Sequence, residues 1–427
     1  MSRLAKHSAS IPRNQQLAAI SLWVLVGALT LVTARPVQAQ TYQVIHNFGG
    51  FIDGAKPLAG VTIDQAGNLY GTTYGGGAYG GLGGYGVVYK LALRGSSWLL
   101  TPLYNFQAGQ DGAYPAAPPV IASNGLLYGN TRGGAGRGCN QGIGCGTLYE
   151  LQPPAGVCGR VLCYWNESVL YRFAGSTDGG TPVGTLALDA SGNMYGATYA
   201  GGDTGGGVAF ELARSGGTWT QSVIYSFDTP SDGLQPASTL TFDASGNLFG
   251  VAASGGAHNF GTIYKLAPGG LFGWSISDIF DFDETLYDAG DLLRDSAGNF
   301  FGATGVGGEF GDGAVFELSP AGGGWNLQVI YSFEQSGFGP GGGLAMDVAG
   351  NLYGTTTYQG AFHSGTVYKL SPSNGSWIYT DLHDFSGAPG DGCNPYGGVS
   401  FDRNGNLFGT TYNCGASGYG VVWEVTP

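Results

Sequence analysis

A repeat of roughly 50 residues runs along this chain, and its incomplete first and last copies constrain the fold more than any other feature. Six segments pair a Trp with a Phe eight residues later, from Trp98/Phe106 to Trp377/Phe385. The chain starts with an isolated end of a copy, residues 44–48, and stops after an isolated third segment, residues 420–425. The two fragments make up one complete copy. Such complementary ends predict a closed ring whose first and last segments share a unit.

Each copy contains four short runs of residues that favour β-strands. In the copy at 334–385, these runs are rich in β-branched and aromatic residues and are separated by turns that contain Gly, Pro or Asn. Four strands in a repeat of roughly 50 residues are typical of a propeller blade, whereas the coil of a β-helix is much shorter. The sequence therefore predicts an all-β fold, a seven-bladed β-propeller of four-stranded blades that is closed by residues 41–48. Because residues eight apart on a regular strand share a face, each Trp is expected to lie on the same face as its Phe.

The predicted organisation is an N-terminal segment, 1–39, followed by a single propeller domain, 40–427. The predicted blades cover about 49–106, 107–173, 174–227, 228–282, 283–333, 334–385, and 386–427 together with 41–48. Segment 1–39 has a basic start, an uncharged apolar stretch at 17–34 and small residues around Ala39. This pattern predicts a cleaved signal peptide. An uncleaved membrane anchor is the alternative, since the apolar stretch is nearly long enough to span a bilayer.

The composition limits the partners. The chain contains 82 glycines, which recur in register with aromatic and β-branched residues and are therefore expected in turns rather than in a disordered chain. The formal net charge is −13, and segment 1–39 contains no acidic residue. An acidic surface disfavours nucleic acid and anionic membranes as partners. We expect a monomer with no cofactor and no membrane insertion after signal cleavage.

Six cysteines all lie beyond the N-terminal segment. An even number of cysteines in an exported chain predicts disulfides, although six cysteines allow 15 pairings. Their clustering favours three local pairs, Cys139–Cys145, Cys158–Cys163 and Cys393–Cys414. The spacings are unlike those of zinc sites, and no metal site is predicted. An exported location, outside the cell, on its surface or in the periplasm, follows from this cysteine usage and from the predicted signal.

The repeat also resembles a known family. The copies at 189–227 and 347–385 follow most closely the pattern Asp-x-x-Gly-Asn-Leu-Tyr-Gly-Thr-Thr, then Gly-Thr-Val-Phe-Lys-Leu, then Leu-Tyr-Ser-Phe. In this pattern the chain resembles the bacterial choice-of-anchor tandem repeat family of Gloeobacter and Verrucomicrobia type, over essentially all of 41–427. The second copy departs from it, with Ala122 in place of Asp, an insertion and four cysteines. The resemblance implies export and a repeat fold, but no activity. Family members often end in a sorting signal, which this chain is expected to lack.

Two acidic elements recur. Asp-x-x-Gly-Asn, from Asp64 to Asp402, predicts a hairpin turn rather than a calcium site, since one carboxylate per turn is too few. Asp-Gly-x-x-Pro precedes the first strand of most copies, in the loops expected around the channel mouth. Its carboxylates are predicted to bind a ligand as a ring; the alternative is an Asp-Gly turn that Pro rigidifies. These residues are Asp53, Asp111, Asp178, Asp232 and Asp391.

Further candidates follow the second strand of several copies, on the same predicted face. They are Tyr74, Arg132, Tyr199 and Tyr412, with Tyr358 one position later in its copy. Exposed aromatic residues near polar groups suit a glycan or a protein partner, although packing against the next blade is the alternative. Arg132 is the exception in this set and is the residue most expected to be functional.

No catalytic motif is present: the chain lacks G-x-S-x-G, H-E-x-x-H and the P-loop. The leading hypothesis is therefore an exported binding or interaction module with no catalytic residues. The alternative is an enzyme that acts on polysaccharide or on another small substrate, such as a lyase or a glycosidase, with its site at the channel mouth. A ring could bring carboxylates from different blades together for glycoside cleavage.

Overall fold

Seven four-stranded antiparallel sheets follow one another around a ring, and the chain is a seven-bladed β-propeller, as predicted. The computed structural model describes residues 40–80, 83–135, 138–139, 142–156, 164–270, 273–334 and 339–426. The predicted signal at 1–39 lies outside the described residues. Within the described ranges, no helix has both the length and the apolar character that crossing a bilayer requires.

The innermost strand of each blade borders the channel, and the other strands follow outwards. From the channel, the first blade contains Thr62–Ile63, Leu69–Thr73, Val87–Arg94 and Ser97–Asn105. The second contains Val120–Ile121, Leu127–Thr131, Thr147–Gln152 and Asn166–Arg172. The third contains Gly180–Leu188, Met194–Ala200, Val208–Ser215 and Thr218–Ser226. The fourth contains Leu234–Pro236 and Thr241–Phe242, both paired with Leu248–Ser254, then Thr262–Gly270 and Gly273–Asp281.

The remaining blades follow the same order. The fifth contains Leu286–Ala289 and Leu293–Arg294, both paired with Phe300–Gly307, then Ala314–Ala321 and Gly324–Ser332. The sixth contains Ala345–Met346, Leu352–Thr356, Thr366–Ser373 and Ser376–Asp384. The seventh contains Ser400–Phe401, Leu407–Thr411, Val421–Thr426 and Thr41–Asn47. Outside these sheets lie a two-stranded pair, Gly392–Cys393 with Asn413–Cys414, and a 3₁₀ helix, Pro230–Asp232.

The N-terminal strand closes the ring, as the incomplete ends predicted. Thr41–Asn47 pairs antiparallel with Val421–Thr426, from Thr41 opposite Thr426 to Asn47 opposite Val421. Phe48, just past this strand, is fully buried between the seventh and first blades. Without this strand, Val421–Thr426 would present an unpaired edge.

The prediction that Trp and Phe of a pair lie on one face is wrong. The register of every outermost strand shifts at a β-bulge, which in the first blade inserts Leu103. One extra residue reverses the alternation. Trp98 therefore packs back on the seventh blade, 5.7 Å from Phe408 between ring centroids, and Phe106 packs forward on the second, 5.3 Å from Tyr149. Each outermost strand thus helps to seal two blade interfaces.

The Gly of the repeated Leu-Tyr-Gly element is required by packing. Gly71 lies opposite Tyr89 on the neighbouring strand, and a Cβ at Gly71 would lie 2.3 Å from the Tyr89 hydroxyl oxygen. The same contact forms between Gly409 and Trp423 in the seventh blade. A large aromatic ring on the third strand of each blade therefore lies across a glycine on the second, which explains why the two residue types recur together.

The Asp-x-x-Gly-Asn elements are turns, as predicted. Asp64 accepts hydrogen bonds from the backbone N–H groups of Ala66 (2.8 Å) and Asn68 (2.9 Å) and from the Asn68 side chain (2.7 Å). Partial burial alone would raise the pKa of the Asp64 carboxyl, but these hydrogen bonds outweigh it and hold the pKa below its usual value. These turns lie on the face opposite the channel mouth.

Candidate functional site

A cavity of ≈ 580 Å³ lies on the axis of the ring, lined by the inner segments of all seven blades. Small-molecule sites have volumes of roughly 300–1,000 Å³. At one end of the cavity lie the loops that precede each innermost strand and the loops that join the second and third strands. Arg132 and Tyr396 reach the cavity from these loops, and Tyr199 reaches it from the end of the strand Met194–Ala200. We call this end the mouth.

The five predicted carboxylates lie in the loops before the innermost strands, one in each of five blades. Each accepts a hydrogen bond from the Tyr or His two residues before the Phe that follows the outermost strand. The pairs are His46–Asp53, Tyr104–Asp111, Tyr171–Asp178, Tyr225–Asp232 and His383–Asp391. Backbone N–H groups just after that Phe also donate to four of them: Gly49 to Asp53, Gln107 to Asp111, Ala174 to Asp178 and Ser386 to Asp391.

These hydrogen bonds fix the loop that leads from one blade to the next. At Asp391, burial raises the pKa, but hydrogen bonds from His383, Ser386 and Tyr42 outweigh it and hold the pKa well below its usual value. The same balance, with His46 and Gly49 as donors, lowers the pKa of Asp53. Each carboxylate thus already accepts hydrogen bonds from its own loop or from a neighbouring outermost strand, and the structure does not bring the five together. Ligand binding by them stays a prediction.

Three residues after each of these Asp residues, the backbone turns into the left-handed region. The equivalent position in the fifth blade is identified by its pairing with Gly305, the counterpart of Tyr74. We call this set the rim ring; its φ angles are Lys56 (58°), Tyr114 (60°), Thr181 (57°), Gln235 (60°), Asp288 (61°) and Asn394 (56°). A non-glycine residue in this region costs roughly 1–2 kcal/mol. In the sixth blade, Gly339 occupies the position, and its φ lies outside the left-handed region.

The left-handed conformation has a clear cause. The N–H of Lys56 donates to the carbonyl of Tyr419 in the preceding blade (2.8 Å), and its carbonyl accepts from the N–H of Tyr74 in its own blade (3.0 Å). Asn394 makes the same two bonds, to Ser364 and from Tyr412. The rim position therefore ties neighbouring blades together at the mouth. Glycine would satisfy this geometry without strain, so the side chains are not needed to shape the backbone.

The rim side chains meet the predicted aromatic residues. The Lys56 ammonium lies 5.4 Å from the Tyr412 ring centroid, and Tyr114 lies 5.0 Å from Tyr74, ring centre to ring centre. Tyr412 packs edge-on against Tyr396 at 5.5 Å.

The Tyr396 hydroxyl is 2.9 Å from that of Tyr358. Burial and this neighbour raise the pKa of Tyr396 to about 12. We call Tyr358, Tyr396, Tyr412, Tyr74 and Tyr114 the tyrosine arc. It spans four consecutive blades, and Arg132 and Tyr199 follow in the second and third.

The other side of the mouth has no member of the tyrosine arc. At the position of Tyr74, the fourth and fifth blades have Ala253 and Gly305. The mouth is therefore asymmetric at this position, with tyrosines and Arg132 on one side and small residues on the other, where Gln235 and Asp288 of the rim ring also lie. Of the predicted residues, the structure brings Tyr74, Arg132, Tyr199 and Tyr412 to this one opening.

Disulfides brace the loops of the mouth. Cys393 is bonded to Cys414, with Cα atoms 5.3 Å apart, and this bond joins the loop of Asn394 to the loop of Tyr412. Cys139 is bonded to Cys145, with Cα atoms 4.8 Å apart, in the second blade. Both bonds are pairs that the clustering favoured. The third predicted pair, Cys158–Cys163, lies outside the described residues.

The rim ring was missed from the sequence, although a signal was present. In Asp-Gly-x-x-Pro, the residues Asp, Gly and Pro are the same in each copy of the element. The residue before Pro changes from copy to copy, and its side chain lies at the mouth. Five of the six rim residues differ in size, charge or hydrogen-bonding groups and are exposed or half-buried; Thr181 alone is buried. A position with constant backbone geometry and changing chemistry is typical of a recognition loop.

Comparison with known proteins places the chain in a fold group and a family. A polysaccharide lyase described as an ulvan lyase has 12% sequence identity and a TM-score of 0.53, with 89% of this chain and 95% of that one covered; its complex with -[GlcA(1-4)Rha3S]- gives the same values. A gluconolactonase of Xanthomonas campestris has 14% identity and a TM-score of 0.38, with 61% of this chain and 74% of that one covered. At such identities the likeness shows the fold alone. Comparison with curated proteins gives no match.

The family model for the Gloeobacter/Verrucomicrobia repeat matches three times, at residues 27–168, 166–288 and 270–427. These matches run through all seven blades, in line with the resemblance seen in the sequence. The chain belongs to the Gloeobacter/Verrucomicrobia repeat family.

Proposed function

We propose that this protein is an exported binding module that binds a neutral oligosaccharide at the mouth of its channel. The observation that carries the proposal is the rim ring. Five exposed or half-buried side chains of different chemistry occupy a strained position where glycine would be free of strain. Strain of this kind is concentrated at functional sites.

The chemistry of the mouth suits sugar hydroxyls. Asp288 is exposed at the opening. The amides of Gln235 and Asn394 bond to Ser254, Thr357 and Asn413, and each amide keeps further donor and acceptor positions for sugar hydroxyls. The tyrosine arc offers flat apolar faces with hydroxyls at their edges. Tyrosine combines a large contact area with a polar tip, which suits a ligand that is apolar on one face and polar at its rim. Disulfides and strand pairing hold the loops in place, so little ordering is needed on binding.

Charge favours a neutral saccharide over an acidic one. The rim ring and the tyrosine arc, with Arg132, contain the cations Lys56 and Arg132 and the anion Asp288, and Asp291 lies deeper in the cavity. These charges balance, while the whole chain carries −13. A polyanion would approach against the field of the protein.

A polysaccharide-active enzyme is the second candidate, because the chain resembles an ulvan lyase with a TM-score of 0.53. A two-carboxylate glycosidase gains no support, since Asp291 is the sole carboxylate among the described residues that line the cavity. A lyase that acts on uronates would bind acidic chains and release unsaturated products. Their absorbance would distinguish it from a binding module.

The test is titration calorimetry of the full-length protein with cello-, xylo-, manno- and laminari-tetraose and with tetragalacturonate. We expect one neutral tetraose to bind, and Tyr412→Ala to weaken it at least tenfold. Tyr164→Ala, which removes an exposed tyrosine just before the outermost strand of the second blade and outside the cavity lining, is the matched control and should bind as the wild type does. Failure of every neutral sugar to bind, or equal loss in both variants, would refute the proposal.

A further inference from the structure

Below the mouth, one residue of each blade faces the axis, four positions before the turn that joins the first two strands. This throat ring consists of Gly60, Pro118, Thr185, Thr239, Asp291, Gly343 and Gly398, and all seven residues line the cavity. Three glycines and one proline leave most of the ring without polar side chains. Asp291 is its single charged residue.

Asp291 is fixed by the preceding blade. Its Oδ1 accepts from the N–H of Thr239 (2.6 Å), and its Oδ2 accepts from the hydroxyl of Thr239 (3.1 Å). The same Thr239 hydroxyl oxygen accepts from the N–H of Thr185 (3.0 Å), so residues of three blades form one chain of hydrogen bonds. Burial raises the pKa of Asp291, although the bonds from Thr239 oppose this.

Asp291 is also accessible from the cavity. A carboxylate has about four acceptor positions, and Thr239 uses two. The neighbour on the other side is Gly343, where a Cβ would lie 3.3 Å from the Cβ of Asp291. No side chain at that position shields the carboxylate.

The ring limits how a ligand can reach Asp291. Seven blades and the closing strand enclose the cavity laterally, so a ligand can approach only along the axis. An internal segment of a polysaccharide would have to fold back on itself to do so, whereas a chain end can be inserted directly.

We propose that the throat ring is an end-binding subsite, in which Asp291 accepts hydrogen bonds from two hydroxyls of the terminal sugar of a neutral oligosaccharide. The following sugars then lie against the tyrosine arc and the rim ring. This inference rests on the proposed function and names the part of the ligand that is recognised.

The test uses the wild type and Asp291→Asn with the neutral tetraose that binds best, its octaose, and two blocked tetraoses. One blocked tetraose carries a 4,6-benzylidene acetal on its non-reducing end, and the other a 2-aminobenzamide group on its reducing end. Asn can keep the bond from the Thr239 N–H at its Oδ1, and its Nδ2 can donate to the Thr239 hydroxyl oxygen in place of the bond that this hydroxyl donates to Asp291. Asp295→Asn, at the turn of the same blade on the opposite face, is the control.

We expect one of the two blocking groups to abolish binding of the tetraose. The octaose should bind as tightly per chain as the tetraose. Asp291→Asn should weaken binding by about tenfold to a hundredfold. Equal binding of both blocked tetraoses would overturn the end-binding subsite while the proposed function stands. If Asp291→Asn bound the tetraose with wild-type affinity, Asp291 would not be part of the end-binding subsite. Failure of all neutral sugars to bind would overturn both proposals.

Discussion

Closure of the ring by the N-terminal strand can be tested with a matched pair of variants, Phe48→Ala and Phe106→Ala. Both phenylalanines are fully buried just past an outermost strand. Phe48 lies 5.3 Å from Tyr89, and Phe106 lies 5.3 Å from Tyr149, each packed edge-on across a blade interface. Both backbone N–H groups donate a hydrogen bond of 3.1 Å to a glycine carbonyl. The two sites therefore differ mainly in connectivity.

Loss of either ring should lower the free energy of unfolding by about 3 to 5 kcal/mol, because each deletion leaves a cavity in a sealed interface. The two substitutions should differ in how strongly they favour local opening of the outermost strand. Phe48 anchors a strand that no hairpin turn joins to the seventh blade, whereas Phe106 follows a strand that a hairpin turn joins to its neighbour. A loss of this size corresponds to roughly 10²- to 4 × 10³-fold in a local opening equilibrium.

Hydrogen exchange with mass spectrometry measures this difference. In Phe48→Ala, the amides of Thr41–Asn47 and Val421–Thr426 should exchange roughly 10²- to 4 × 10³-fold faster than in the wild type. In Phe106→Ala, these amides should change no more than the rest of the protein. If these two segments exchanged at the same rate in Phe48→Ala as in Phe106→Ala, the conclusion that Phe48 specifically holds the closing strand would be refuted. A loss below about 1 kcal/mol in Phe48→Ala would show that this strand does not seal the ring.

Three further outcomes concern a disulfide and two carboxyl groups. Replacing both Cys393 and Cys414 by Ser should lower the free energy of unfolding by about 3 kcal/mol, from the 21-residue separation that the bond closes; an unchanged urea midpoint would contradict this. Burial, with Asp111 nearby, raises the pKa of Glu167 to about 7. The folded state therefore retains a proton that the unfolded chain has lost, and stability falls as pH rises from about 4.5 to 7. Glu167→Gln should be more stable than the wild type at pH 8 but not at pH 4, and parallel thermal profiles would contradict this. The pKa of Asp391 is lowered, so its contribution is present above the ordinary carboxyl pKa and is lost as pH falls through the folded value. Asp391→Asn should be less stable at pH 7 by a difference that narrows below pH 4, and a constant difference would contradict this.

The ring itself could be predicted because the repeat is long, its copies are regular and its two ends are complementary. The turn at Asp64 could be predicted because Asp, Gly and Asn have local conformational preferences that do not depend on distant contacts. The sides of the strand on which Trp98 and Phe106 lie could not be predicted. The bulge at Leu103 adds one residue to the strand, and nothing in the local residue pattern marks it.

The site was predicted in part. Tyr74, Arg132, Tyr199 and Tyr412 were identified because they are prominent residues at one position of the repeat. Lys56 and its counterparts were missed because their significance lies in backbone geometry. The role of Asp291 could not be predicted. Its partner, Thr239, comes from another blade, and such contacts require the ring to be assembled.

The most direct test of the account is the affinity of a variant whose exposed rim side chains are removed without loss of the fold. Lys56→Gly, Gln235→Gly, Asp288→Gly and Asn394→Gly are combined in one protein. Relief of left-handed strain should offset the greater freedom of glycine in the unfolded chain, so the free energy of unfolding should stay within about 2 kcal/mol of the wild type. Titration with the neutral tetraose that the wild type binds should show an affinity at least tenfold lower. An equally stable variant with wild-type affinity would contradict the account.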